Sequence, residues 1–277
     1  MAGNADVIEE FRANGGQVGG WLTGAPLVLL TTAGRRTGRP HTTPAVYLRD
    51  GDRYLVFASN AGGPEHPSWY RNILASPQVT MEVAGADGTV RILATLAVPL
   101  EGAERDKYWE QQCAIDPAFR AYEEQTGRVI PVVALIPLEL SATERRRAVG
   151  EQLLRHHADL RAQLERVRDG LGGTADLGEQ LRTRCLTYCY GLQLHHTRED
   201  GAFTALEAQF PELAPVVERL RAEHRVVERG LAELEALLQP GRSRDAAEVR
   251  AEVERVVTGL EEHFAYEEEH LLPALRG

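Results

Sequence analysis

The stretch "LQLHHTRED", Leu192 to Asp200, sets two histidines and two acids at the end of the apolar and aromatic run "CLTYCYGLQL", Cys185 to Leu194. At 100° per residue, Leu181, Cys185, Tyr188, Leu192 and Phe203 share one stripe of a helix. Glu199 falls nearly at the centre of that stripe, with His195 and His196 on either side of it. A segment patterned for burial therefore aims its most polar side chains inward.

The same conflict recurs along the chain. After residue 141 the sequence has no strand signals, and amphipathic periodicity predicts helices over about 142–170, 175–204, 210–238 and 244–275. Their breaks, "GLGGT", "QFPEL" and "QPGRSRD", carry Gly and Pro. In the first helix Leu153, Leu160, Leu164 and Val167 bring His157 within ~40° of the buried stripe, with His156 further off. In the third, Leu213, Val217, Leu220 and Leu231 bring His224 inside and leave Glu228 at the edge. In the fourth, Val249, Val253, Val256 and Leu260 bring His263 and Glu267 inside, while Glu268 points away. Seven of the nine histidines lie in this half. Burying unpaired imidazoles and carboxylates costs several kcal/mol each, so something must compensate. Residues at i and i+4 can grip one ion, and imidazole with carboxylate suits non-haem iron, manganese or zinc.

The ordered set His157, His195-x-x-x-Glu199, His224, His263-x-x-x-Glu267 resembles the hemerythrin-like family, or HHE cation-binding domain, over about 145–275. The resemblance implies an up-down four-helix bundle with an oxo-bridged di-iron centre, two irons per chain, ligated by His157, His195, Glu199, His224, His263 and Glu267. Oxygen-carrying members have a second histidine four residues after the third-helix histidine, where this chain has Glu228. A carboxylate there favours oxidised iron. The expected chemistry is therefore oxygen, peroxide or nitric oxide sensing, a peroxidase-like reaction, or iron handling. His196 and Glu228 are candidate additional ligands, His196 alternatively a group supporting the ligands.

Residues 1–140 have another texture. "PLVLLTTAG", "TTPAVYLRD", "RYLVFASN", "QVTMEVAG", "VRILATLAVPL" and "IPVVALIPLEL" read as strands, with helices over 3–13, 67–75 and 101–125. "RDGDR" reads as a hairpin turn. Many short strands with few helices predict a barrel with flanking helices. Two loops stand out. "TTAGRRTGRPHTTPAVY", Thr31 to Tyr47, packs three arginines around Gly38, a local basic patch suited to phosphate or carboxylate. "FASNAGGPEHPSWYRN", Phe57 to Asn72, leads through glycines into a helix start, another anion-friendly element. Trp69 and Tyr70 are candidates to line a flat ring or to pack the helix on the barrel. His66 is a hydrogen-bonding group at the helix start or a pocket residue.

With "EEFRANGGQVGGWLTGAPLVLLTT", these stretches resemble the deazaflavin-dependent nitroreductase family over about 7–138: "FRANGG", "TTxGRRTG", "TPxxY", "ASNxGG" and "HPSWYxN" occur in order. The resemblance implies a split β-barrel like the FMN-binding flavoreductases, and coenzyme F420, whose phospholactyl-oligoglutamate tail is strongly anionic. It assigns the phosphate and tail to Arg35, Arg36, Thr37 and Arg39, and the strand beside the ring to His41, Thr42, Thr43, Pro44, Ala45 and Val46. Ala58, Ser59, Asn60, Ser68, Trp69, Tyr70, Arg71 and Asn72 complete the pocket. In "DPAFRAYEEQTGRVIP", Phe119 stands where a tyrosine is common and Tyr122 remains; Asn60 stands where some members have a lysine. Ser59 or Tyr122 would polarise a carbonyl or nitro oxygen of the acceptor.

The chain has 277 residues, net charge −10 and three cysteines. The acidity argues against nucleic acid, no apolar run approaches the ~20 residues of a membrane span, and the cysteines make no disulfide framework. The N-terminus lacks the pattern of a signal peptide, so a cytoplasmic protein is expected. The predicted class is α+β with two domains, 1–140 and 141–277. The leading functional expectation is a two-domain oxidoreductase in which reduced F420 donates hydride to a quinone-like or nitro acceptor, with a di-iron bundle. Alternatives are a non-catalytic deazaflavin-binding sensor of oxygen, nitric oxide or iron, and an FMN or haem ligand in the barrel. Split barrels often dimerise, so a homodimer is expected from the resemblance.

Overall fold

Apolar β-branched runs punctuated by Gly, Pro and Asp form six strands in a closed barrel of order β1-β2-β3-β6-β5-β4, in a computed structural model that describes residues 3–171, 179–238 and 246–277. The strands are β1 (Leu27–Ala33), β2 (Pro40–Asp50), β3 (Arg53–Phe57), β4 (Gln78–Ala84), β5 (Val90–Pro99) and β6 (Val132–Pro137). All neighbours are antiparallel. The expected hairpin at "RDGDR" forms, with Asp50 opposite Arg53 and Gly51 at φ 56°. The last strand, β6, closes the barrel between β3 and β5.

Every residue of β1 is buried. Val28 and Leu30 face the interior with Val56, Met81 and Leu135. Leu27 and Leu29 face Val7 and Phe11 of α1 (Asn4–Ala13). Burial of each such side chain contributes about 1.5–3 kcal/mol. The glycines of "FRANGG" have a steric reason: a Cβ on Gly16, at φ 92°, would sit 2.5 Å from the Ala84 Cβ, and one on Gly15 2.0 Å from the Gly88 carbonyl oxygen. Only glycine lets this turn lie against β4 and the hairpin that follows it.

α2 (Ser68–Ala75) follows the loop after β3. The expected helix over 101–125 is two helices, α3 (Gly102–Ile115) and α4 (Ala118–Thr126). Pro117 forces the break: the residue before a proline avoids helical geometry, and Asp116 is extended at φ −132°, ψ 100°.

The helical half consists of α5 (Thr143–Leu171), α6 (Glu179–Gln209), α7 (Ala214–Leu237) and α8 (Ala246–Arg276). Ion pairs and side-chain hydrogen bonds give their directions. Arg161 meets Glu261 and Arg168 meets Glu254, so seven residues forward in α5 is seven back in α8. Arg221 with Glu207 and Tyr190 with Glu235 set α6 against α7, and His263 with Glu223 and Arg255 with Glu233 set α7 against α8. The bundle is up-down, and all four helices share one core, with Leu160, Leu164, Cys189, Leu192, Leu231 and Leu260 among its members. α6 runs to Gln209, past the expected 204, because no breaker precedes Phe210, which is pushed to φ −133° before Pro211. The expected breaks "GLGGT" and "QPGRSRD" fall largely or wholly outside the described residues, as does the side chain of Leu181. Among the described residues, no helix is long and apolar enough to cross a membrane.

Candidate functional sites

The buried stripes of the four helices bring seven polar side chains to one place in the bundle. α5 supplies His157, α6 supplies His195, His196 and Glu199, α7 supplies His224, and α8 supplies His263 and Glu267; all seven are buried. Their ligating atoms form two groups, each within 4.8 Å: His196, Glu199, His224 and His263, and His157, His195, Glu199 and Glu267. Glu199 belongs to both. Its Oε1 lies 3.0 Å from His195 Nε2 and 3.8 Å from His157 Nε2, and its Oε2 lies 3.5 Å from His224 Nε2. Glu267 Oε2 lies 3.3 Å from His157 Nε2 and 3.9 Å from His263 Nε2.

These close approaches are not hydrogen bonds. The Nε2 atoms of His157, His195 and His263, both ring nitrogens of His196 and both oxygens of Glu199 and Glu267 are buried without a hydrogen-bond partner. One such orphan costs about 1–3 kcal/mol, and so many at a single locus are unusual in a folded protein. Donor atoms that converge without bonding one another are what a cation requires, and two groups sharing one carboxylate suit a pair of cations. The donor set therefore fits two metal ions. Burial, reinforced by His224, holds the His196 pKa far below its ordinary value, so the ring is neutral and keeps a lone pair. Burial opposes ionisation of Glu199, but His195, His157 and His224 outweigh it and lower its pKa. Burial and the Glu199 charge raise that of Glu267. Burial also opposes protonation of His157, but the facing carboxylates win and raise it to about 10.

The outer edges of two rings are fixed. His157 Nδ1 donates to Glu268 at 2.7 Å, and Arg161 also donates to that carboxylate. His263 Nδ1 donates to Glu223 at 2.8 Å, and Arg219 supports Glu223. Both bonds turn Nε2 inward. The sequence reading placed Glu268 pointing away and did not single out Glu223. Each acid is adjacent in sequence to a group member, Glu267 or His224, and reaches a ring on a neighbouring helix. Glu228, a candidate ligand at the stripe edge, is exposed and outside both groups, so it is not brought to the metal positions. His156 lies 5.8 Å from His195 between ring centroids and is also outside them.

In the barrel, the arginine loop follows β1. Arg35, Arg36, Thr37 and Arg39 are exposed, as is His41, while Thr42, Thr43, Pro44, Ala45 and Val46 are half-buried along β2. Buried Asn72 of α2 anchors the loop: its Oδ1 accepts from the Arg35 amide at 3.1 Å and its Nδ2 donates to Thr32 Oγ1 at 3.0 Å. The guanidinium groups of Arg35 and Arg36 bond to nothing among the described residues. The loop backbone is held while two cations face outward, which suits an anion.

The second loop is fixed by Arg128, which the sequence reading left aside. It donates to the carbonyls of Ala58 (3.1 Å), Ser59 (2.7 Å) and Gly63 (3.3 Å) and to His66 Nδ1 (3.0 Å). Burial, then Arg128 and Arg71, lower the His66 pKa, so the ring accepts from Arg128 as neutral imidazole. Asn60 and Ala61 adopt φ of 53° and 48°, left-handed values that L residues hold only when their surroundings impose them. Asn60 Nδ2 donates to the Glu65 carbonyl, and Arg71 pairs with the Glu65 carboxylate. Ser59 is half-buried and Ser68 exposed. Trp69 belongs to the barrel core, so of the two aromatics only half-buried Tyr70 remains available to a ring. Tyr122 is half-buried at the edge of a cluster with Phe57, Trp109 and Phe119.

Comparison with known proteins agrees with both halves. Residues 6–137 match the family model for F420H(2)-dependent quinone reductase, and residues 149–275 match that for the hemerythrin HHE cation binding domain. An F420H(2)-dependent quinone reductase of Mycobacterium tuberculosis H37Rv is 37% identical over 129 residues, covering 45% of this chain and 83% of that protein. A second, putative one from the same strain is 30% identical over 118 residues, covering 43% of this chain and 95% of that protein. A solved structure of an F420-H2 dependent reductase is 33% identical, covering 40% of this chain and 93% of that one, with TM-score 0.36. Through its barrel the chain belongs to the F420H(2)-dependent quinone reductase family, and a hemerythrin HHE cation binding domain follows that barrel.

Proposed function

We propose that the barrel is an oxidoreductase that uses reduced coenzyme F420 to reduce a quinone-like or nitro acceptor, and that the bundle holds a pair of iron ions for oxygen, peroxide or nitric oxide chemistry or for iron handling. The observation that carries the first part is the pair of unengaged guanidinium groups, Arg35 and Arg36, on a loop anchored by Asn72 in a chain of net charge −10. When bound, the reduced deazaflavin supplies a hydride. The chain's own work is binding and orientation. Arg35, Arg36, Thr37 and Arg39 hold the phosphate and acidic tail. The β2 segment from His41 to Val46, with Ala58, Asn60, Ser68, Tyr70, Arg71 and Asn72, forms the walls beside the ring. The Ser59 or Tyr122 hydroxyl donates to the acceptor oxygen and polarises it. His157, His195, Glu199, His224, His263 and Glu267 hold the metal pair. Its chemistry when bound is redox exchange with a small oxidant.

Steady-state oxidation of reduced F420 by menadione tests the first part. Turnover that disappears in Arg35→Glu/Arg36→Glu protein is the expected result. Tight coenzyme binding with no turnover overturns the enzyme reading and leaves a binding module.

A further inference from the structure

We infer that His196 of α6, and not Glu228 of α7, completes the metal position formed with Glu199, His224 and His263. The inference rests on the proposal above that the bundle holds two metal ions, and it concerns which side chains define one of them.

Three observations carry it. First, His196 is fully buried and neither ring nitrogen has a hydrogen-bond partner, whereas a structural core histidine ordinarily satisfies at least one. Second, the ring stacks on His224, with centroids 4.1 Å apart and planes 11° apart, and meets His263 edge-on at 5.4 Å. Its ligating nitrogen lies within 4.8 Å of the ligating nitrogens of His224 and His263 and of a Glu199 carboxylate oxygen. Third, Glu228 is exposed and belongs to neither group, although it follows His224 by one helical turn.

The helix geometry explains the exchange. Successive residues on a helix are 100° apart, so adjacent histidines on one helix diverge. His195 and His196 straddle the buried stripe of α6 with Glu199 between them, and each reaches a different group. α6 thus serves both metal positions: His195 to one, His196 to the other, Glu199 to both. A second imidazole from α7 becomes unnecessary, and Glu228 is free to face solvent. The resulting position offers three imidazoles and one carboxylate. Its neighbour offers two imidazoles and two carboxylates. The imidazole-rich position favours the later divalent metals.

The test is metal stoichiometry of the full chain, stripped, equilibrated anaerobically with ferrous iron alone and desalted. Wild type should retain about two ions per chain and His196→Ala about one, while Glu228→Ala keeps both. His196→Phe guards against simple misfolding. It keeps a ring stacked on His224 and removes two orphaned polar atoms, so the apo protein should melt no lower than wild type yet still lose one ion. Two ions retained by His196→Phe, or one lost by Glu228→Ala, overturns the inference while leaving the metal-pair reading intact. No iron in wild type overturns both.

Discussion

Glu268 accepts a hydrogen bond from His157 Nδ1 at 2.7 Å, while Glu267, its neighbour in sequence, lies 3.3 Å from Nε2 of the same ring. One imidazole is held between consecutive acids of α8. The inner acid is fully buried, and the outer acid is paired with Arg161. An outer acceptor fixes the ring orientation and raises the basicity of the inward nitrogen. Glu268→Gln should therefore weaken metal binding about 10–100-fold, read by chelator competition, with little change in apo stability. An unchanged affinity would show that the outer acid is incidental.

Arg128 ties Ala58, Ser59, Gly63 and His66 together from outside the loop they form. A lysine cannot reproduce that fork. Arg128→Lys should lower kcat/KM with quinone about tenfold and should not be rescued by higher coenzyme concentration. A change confined to the KM for coenzyme would assign Arg128 to the tail instead.

Arg35 and Arg36 are exposed and unengaged, so replacing both should leave the melting temperature within about a degree, since surface substitutions stay near ±0.5 kcal/mol. The coenzyme KM should nevertheless rise, and the wild-type KM should rise with salt as the anionic tail is screened. A salt-independent KM would locate the tail elsewhere.

Burial in the bundle raises the Cys185 thiol to about 11 and the Cys189 thiol to about 12, with burial the larger cause in both. The folded thiols keep their protons above pH ~8.5, where the unfolded chain loses its own. The unfolded state then binds fewer protons, so stability falls as pH rises. Urea unfolding of the bundle should weaken steadily from about pH 9 to pH 11, and Cys185→Ala/Cys189→Ala protein should show a shallower decline. Equal slopes would assign the alkaline loss to other groups.

Much of this was legible in the sequence because periodicity reports burial. The six strands, the four long helices and the inward turn of His157, His195, His224 and His263 all follow from spacing. What spacing cannot report is contact between helices. Glu223 and Glu268 act on rings carried by neighbouring helices, so a stripe drawn on their own helix treats them as surface. The same limit set Glu228 and His196 side by side as candidates, since both sit near a stripe edge and only packing separates them. Trp69 had two readings because an aromatic at a helix start serves a pocket or a core equally well; the barrel interior takes it. Pro117 splits a helix that apolar periodicity alone carries through.

The most direct test of the account is metal analysis with an absorption spectrum of the full chain purified in air, alongside Glu199→Ala. The account predicts about two irons per wild-type chain with near-ultraviolet oxo-bridge bands, and loss of both ions in Glu199→Ala, whose carboxylate faces both groups. No iron, a single zinc, or full iron content in Glu199→Ala would contradict it.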